Sequence, residues 1–584
     1  MRFRTHPDIR AYRAPSLSAL TLLAALLTTI GACGRIDPTG KAPNSAATPA
    51  AARATIDLFA FGRVLGTIAP CGCTTEPLGG LGYAFGYIEA RSTAAERLVL
   101  EPGSFLFPDP AAAEAPTDEA SWSQAEARAD LLHRRFSVLG DRLVSGLGPT
   151  DLSSAQGSAA LARWLLPRTA VNAGPALELP KYRLLEIDAV KIAVTSAIDP
   201  ELAGERLGPL EPLEPALTRE LIAMRGAGAD LVVVMLHGKR PRAEALARAL
   251  PGIDVMIVGV VEGVDRTRLG SPPARIGDTW ILEPGEQAQT ITHLRLSIDR
   301  KLHPKGVPSP AQWSLRPPRA SREAELTRVQ ARLDKFKADP SADPSFIRRL
   351  EEERATIKSS LEGPDEPTEP VAVTFDQVKV TCKLPVDDAA IASLRRYDAW
   401  VAEQNMQRFA GIIPPPPADG EPGFVGVDEC EACHEEAVTF WRTTRHARAF
   451  ATLVDDNKQY DLSCVGCHVT GFRRPGGSEV VENEHLRDIQ CEQCHGPASL
   501  HVQEPTVLGR ANAIRRASPI ELCLECHTPE HSDTFQYEAY LRDVLGEGHG
   551  VHARIALGDG PTGRELRAAG FAKAGGACKK MPAK

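Results

Sequence analysis

The chain has 584 residues, 43% hydrophobic and 24% charged, with a formal net charge of −8 at pH 7. That length exceeds what one hydrophobic core supports, so two or three domains are expected. The acidic balance, with no basic run and no aromatic platform, excludes a nucleic-acid-binding surface.

Residues 1–33 read as an export signal. Arg2, Arg4, Arg10 and Arg13 precede an apolar run from Leu17 to Ile30, too short to span a bilayer comfortably, with small residues before a cleavage point. Ile30-Gly31-Ala32-Cys33 resembles the bacterial lipobox, which implies lipidation of Cys33; an ordinary secretory signal with a chance cysteine is the alternative. No later apolar run reaches spanning length. The expected localisation is therefore exported and lipid-anchored to a bacterial membrane, facing the periplasm or the cell surface. Residues 34–52, rich in Pro, Ala, Thr, Gly and Ser, read as a flexible tether.

From 53 to 300, short β-branched runs such as "TIDLFAFG", "VKIAVTSAI", "LVVVMLHG" and "IDVMIVGVV" alternate with helical stretches. Runs of this kind are buried strands of a layered α/β sheet. Their order resembles the calcineurin-type metallophosphoesterase domain of the nucleotidase group. That family holds two metals with about six Asp, Asn and His side chains. Here Asp57, Asp151 and His237 survive. Phe59 stands where a His is expected, Ser104 where the bridging Asp belongs, and Val260 and Glu262 in place of the last His-x-His. The implied fold is retained, and phosphoesterase activity is not expected. Cys71, Cys73, Cys382 and Cys578 are available for one or two disulfides; a C-x-C metal or haem contact is the alternative for the first two.

Residues 318–362 place Leu326, Val329, Leu333 and Phe336, then Ile347, Leu350, Ile357 and Leu361, at steps of three and four around an Asp-Pro break. This describes an antiparallel helical hairpin, either a spacer packed on itself or a homodimer contact. A short strand and a helix over 370–412 read as a connector, and a Pro-rich break at 411–423 marks the next border.

The region 424–552 carries the chemistry. Eight of the 13 cysteines form four pairs, and ten of the 15 histidines lie between His434 and His552. The pairs are Cys430/Cys433, Cys464/Cys467, Cys491/Cys494 and Cys523/Cys526, each followed directly by a histidine: His434, His468, His495 and His527. C-x-x-C-H lets two thiols reach the two vinyl groups on one porphyrin edge while the next residue presents imidazole to iron. Zinc sites also use Cys pairs, but nothing in tetrahedral coordination requires a His after every one of them. Four covalent c-type haems are expected, with iron held proximally by those four histidines. Among the spare histidines, His446, His501 and His549 are the preferred distal ligands, and His485 is a further candidate. His501 follows its own motif too closely to reach the same iron, so it is expected at a neighbouring haem. Residues 553–584 read as a tail.

"VGVDECEACHEEAVTFWRTTRHARAF", "DLSCVGCHVTGF" and "IQCEQCHGPASLH" resemble the tetrahaem cytochromes c of ammonia-oxidising bacteria. The resemblance implies a mostly helical domain with haems in near-contact pairs, three of them bis-histidine and one five-coordinate. The haem on His468 is then the open one unless His485 closes it. The expected function is electron transfer between redox proteins. The alternative is an oxidoreductase acting on a small nitrogen or sulfur compound at the open haem. Residues 428–552 hold 21 Asp and Glu against 11 Lys and Arg, which favours a basic redox partner.

Overall fold

A computed structural model describes residues 53–578 except 71–73, 113–114, 154–156, 158, 262–268, 316–318, 340–342, 363–369, 505–513, 530 and 577. The signal, Cys33, the tether, Cys71, Cys73 and Glu262 lie outside the described residues.

Two mixed sheets of six strands each, among the described residues, build the N-terminal body. The first contains β1 (Arg53–Ala60), β2 (Arg97–Glu101) and β3 (Leu143–Ser145). The second contains β4 (Arg183–Ile187), β5 (Val190–Ile198), β6 (Leu231–His237), β7 (Val255–Val258), β8 (Gly270–Ile276) and β9 (Thr279–Pro284). β10 (Thr290–Asp299), β11 (Ser314–Leu315) and β12 (Val371–Lys379) return to the first sheet. The orders are β11-β12-β10-β1-β2-β3 and β4-β5-β6-β7-β9-β8. β1, β2 and β3 run parallel, as do β5, β6, β7 and β9, while β10 runs antiparallel to β1.

Alternation along the strands decides the layering. In β1, Ile56, Leu58 and Ala60 face the other sheet and pack with Ile192 and Val194 of β5, Val233 of β6 and Ile257 of β7. Phe59 and Phe61 face the opposite way, into a core with the helices Leu81–Arg91, Glu119–Ser137 and Asp388–Phe409. The outer face of the second sheet packs on helices Leu213–Gly226 and Arg240–Ala249 through Leu217, Met224 and Leu246. The result is a four-layer α-β-β-α sandwich, the α/β fold that the alternating runs imply.

Two expectations about organisation need correction. Residues 370–412 are no connector: β12 pairs with β10 over nine residues, and the following helix fills the first core with Ile391, Leu394, Tyr397 and Val401. A strand whose partners lie about 80 residues upstream looks isolated in sequence. Nor is 553–584 a loose tail. Thr562 and Glu565 form a capping box that starts the helix Gly563–Lys573, and Cys578 is disulfide-bonded to Cys382, with Cα atoms 5.8 Å apart. The chain end is thereby tied to the loop after β12. The hairpin forms from Arg319–Lys337 and Pro344–Glu362, closed by Val329, Leu333 and Leu350. No described helix is long and apolar enough to cross a membrane.

Candidate functional site

The C-terminal region is built from short helices and turns that present the Cys pairs to one space. Helix Val427–Trp441 carries the first motif, and its backbone leaves helical geometry at His434 (φ −125°, ψ 40°), directly after the second cysteine. The second motif lies on the turn Val465–Cys467, the third on Cys491–His495 and the fourth on Ile520–Leu524 and the turn beyond. Glu492, between the two cysteines of the third motif, is buried and accepts hydrogen bonds from the backbone N–H groups of Val425, Gly426 and Ala498 at 2.8–3.0 Å. One carboxylate thus ties the third motif to the chain just ahead of the first.

The imidazoles are oriented from behind. His468 Nδ1 donates to Ala449 O at 2.6 Å, His495 Nδ1 donates to Arg515 O at 2.6 Å, and His527 Nδ1 bonds Ser532 Oγ at 3.0 Å. A proton fixed on Nδ1 leaves the Nε2 lone pair for a metal. His434 and His501 lie with ring centroids 6.4 Å apart and planes 21° from parallel; His446 and His527 lie 6.2 Å apart at 42°. Two imidazoles bound on opposite sides of one metal at bonds of about 2 Å have ring centres roughly 6 Å apart. His549 lines the same space, its buried Nδ1 has no partner among the described residues, and burial followed by the neighbouring His495 and His434 holds it below the ordinary imidazole range. His531 also lines this space and bonds Thr528 Oγ1 at 2.9 Å. His485 is exposed on the turn Glu484–Leu486 and is not a lining residue, so it is not placed to serve as a distal ligand. The polar turn faces water while its buried neighbour Leu486 faces inward.

All four motifs open on a single cavity of about 3060 Å³. Pockets for one small ligand run to about 1,000 Å³, so this space fits several large groups. The Cys430 thiol contacts Cys491, and Cys526 contacts Cys467; these contacts, with burial, push the Cys430 and Cys526 thiols up. The first motif therefore sits beside the third, and the second beside the fourth. The donor set and the void fit covalent haem.

The sandwich supplies part of the cavity wall. Ser121, Gln124 and Arg128 on one helix, and Ile391, Leu394 and Asp398 on another, line it. Buried Gln124 donates to Asp461 Oδ1 at 2.5 Å and to Ser463 Oγ at 3.3 Å, just ahead of Cys464, and Asn405 donates to Tyr460 O at 2.8 Å. Arg473 pairs at 2.7 Å with Asp118, the residue that caps the Gln124 helix. These contacts carried no sequence signal, because Gln124 and Asn405 are ordinary polar positions on their helices.

Of the residues surviving from a two-metal pattern, His237 approaches the Asp151 turn at Gly148, while Asp57 and Asp151 are each held by other partners. Asp57 lies inside β1, fully buried, where it accepts from His293 Nε2 at 2.7 Å and from Arg295 at 2.7 and 3.0 Å. Burial opposes its ionisation, but these partners outweigh it and hold its carboxyl below the usual range. Asp151 instead accepts from the backbone N–H groups of Ser104, Phe105, Leu106 and Gly148 at 2.8–3.1 Å, which fastens the turns after β2 and β3. Burial pushes His237 down to about 3, so its imidazole is neutral.

Glu101 beside this cluster accepts from Gly103 N and Ser145 Oγ, both at 2.7 Å. Burial first, and the Asp151 carboxylate second, push its pKa up to about 8 from 4.5. The folded chain therefore keeps a proton that the unfolded chain loses, so this group's stabilising contribution is full below about pH 4.5 and is lost as pH rises towards 8. E101Q is expected to flatten the fall in stability across that window, by at most about 1.4 kcal/mol per pH unit, in urea midpoints measured at several pH values.

Comparison with known proteins agrees with the site. Residues 429–496 match the family model described as cytochrome c554 and c-prime. Cytochrome c-554 of Nitrosomonas europaea is 36% identical over 90 residues, covering 13% of this chain and 38% of that protein. The chain thus spans well under half of that relative. Among solved structures, reduced cytochrome c554 from Nitrosomonas europaea is 21% identical over 24% of this chain and 86% of its own, with a TM-score of 0.17. The 5'-nucleotidase precursor from Thermus thermophilus is 16% identical, covers 60% of each chain and has a TM-score of 0.39. Both superpositions are loose, and the sandwich rests on its own strand order. The four motifs, their shared cavity and the matched segment place a haem-binding domain of the cytochrome c554 and c-prime family in the C-terminal part of this chain.

Proposed function

We propose that this protein is an exported, lipid-anchored cytochrome that binds four c-type haems and passes electrons between redox proteins. The observation that carries this reading is the opening of four C-x-x-C-H motifs on one cavity, with two histidine pairs at the spacing of opposed ligands. Each Cys pair would hold a haem through thioethers. His434 with His501, His527 with His446, and His495 with His549 would ligate iron, and His468 would hold the remaining one. Bound c-haem supplies a one-electron couple. The chain's own part is to orient His468, His495 and His527 through their Nδ1 bonds, exclude bulk water and space neighbouring motifs closely. The acidic surface of 428–552 steers a basic partner, and lipid on Cys33 keeps the encounter at a membrane.

The test is haem quantification and low-temperature EPR on the full-length protein recovered from membranes. Four covalent haems, three with low-spin ferric signals and the one at His468 high-spin, support this reading. Fewer than four overturns the count. Turnover of a small nitrogen or sulfur compound at the high-spin haem moves the reading to an oxidoreductase.

A further inference from the structure

The α/β sandwich lacks a metal centre among its described residues, yet two of its helices form a wall of the haem-binding cavity, so its side chains there can act on the redox centres. On the helix Glu119–Ser137 the stripe Ser121, Gln124 and Arg128 faces the cavity; on Asp388–Phe409 the stripe is Ile391, Leu394, Arg395 and Asp398. Most charges at this end are matched. Lys458 pairs with Asp398 at 2.8 Å and lies 3.9 Å from Asp461, which also takes the Gln124 amide. Arg473 is held between Asp118 and Glu479. Arg128 differs: among the described residues it makes no hydrogen bond or ion pair, although it is only partly exposed. Its charged neighbourhood is nonetheless defined, because buried Tyr397 feels Arg128, Asp461, Asp398 and Cys464 together. The helix that carries Arg128 is held against the second motif by Gln124, one turn earlier on the same face, which bonds Asp461 and Ser463 just ahead of Cys464.

We propose that Arg128 is a potential-setting residue for the haem carried at Cys464, Cys467 and His468. The inference rests on the four-haem reading above. A cation in a partly desolvated wall favours the state with one more electron, so it raises that haem's reduction potential. At an effective dielectric of about 20 and a separation of about 10 Å, a unit charge changes a one-electron equilibrium on the order of tenfold. The role is positional, since Arg128 exchanges no electron or proton. It also assigns the sandwich a function: it completes the electrostatic environment of a domain that the matched segment, 429–496, encodes only in part.

The test compares full-length, haem-loaded R128Q and R128K with the parent chain by equilibrium spectroelectrochemical titration. R128Q is expected to lower one of the potentials by about 59 mV, the one-electron equivalent of tenfold, and R128K to restore it. Unchanged potentials in R128Q, or an equal fall at every haem, overturn the assignment. Haem content of the same samples separates the two levels. Fewer than four covalent haems in the parent chain defeats the four-haem reading. Four haems with unmoved potentials defeat the role of Arg128 alone.

Discussion

Replacing His501 with alanine is expected to convert one low-spin iron to high spin without loss of covalent haem. The thioethers come from cysteines, so removing a distal imidazole leaves attachment intact and opens one axial position. The choice of His501 follows from its ring lying 6.4 Å from His434, on the short helix Ser499–Gln503. H446A should do the same at the iron held by His527, whose ring lies 6.2 Å away. H485A is the control: its side chain is exposed and lines no part of the cavity, so its spectrum should match the parent's. The readout is EPR with carbon monoxide binding to the reduced protein. Each cavity variant gains about one CO-binding haem, and H485A gains none. A low-spin spectrum retained in H501A would mean that another residue ligates the iron facing His434.

The parts of this arrangement readable in sequence are those set by local geometry. A C-x-x-C-H motif fixes two thiols and an imidazole within one turn, so its chemistry is legible wherever it folds. Strand runs such as 231–237 are likewise legible, because a fully buried parallel strand is apolar on both faces, and every residue of β6 is buried here. Distal histidines are set by tertiary placement. His485 and His501 are both candidates in the sequence, His501 the preferred one, and only the fold turns the first outward and the second towards His434. The same limit applies to Asp57 and Asp151. Both are buried acids in a family-like order, but one is matched to Arg295 across two strands and the other to four backbone N–H groups. The seating of the wall helix that carries Gln124 and Arg128 depends on contacts of Gln124 with Asp461 and Asn405, some 280–340 positions away, which no periodicity encodes.

Phe136→Ala is expected to be the most destabilising single truncation in the sandwich and to weaken the wall of the cavity as well. Phe136 is 1% exposed on the last turn of the helix Glu119–Ser137 and meets three rings edge-on: Phe61 at 5.5 Å, Phe85 at 5.0 Å and Phe105 at 4.7 Å. Those rings come from the end of β1, the helix Leu81–Arg91 and the turn after β2, so backbone on three sides resists collapse into the void. Phe-to-Ala truncations in such settings cost about 3–5 kcal/mol, from lost transfer energy, ring contacts and the residual cavity. Phe136→Leu keeps most of the volume and should cost less than half as much. Guanidinium denaturation of the full-length protein followed by far-UV circular dichroism measures both. A midpoint for F136A equal to that of F136L would place the cluster outside the cooperative core. The helix has two working faces: Ala125, Ala129, Leu132 and Phe136 anchor it to the sheet, while Gln124 and Arg128 project to the cavity. Loosening the first face leaves Gln124 less able to hold Asp461. F136A should therefore broaden the EPR signal of the haem at Cys464 and Cys467 before the sandwich itself unfolds, whereas a substitution on the remote second sheet's helix layer, such as Met224→Ala, should lower stability without that spectral change.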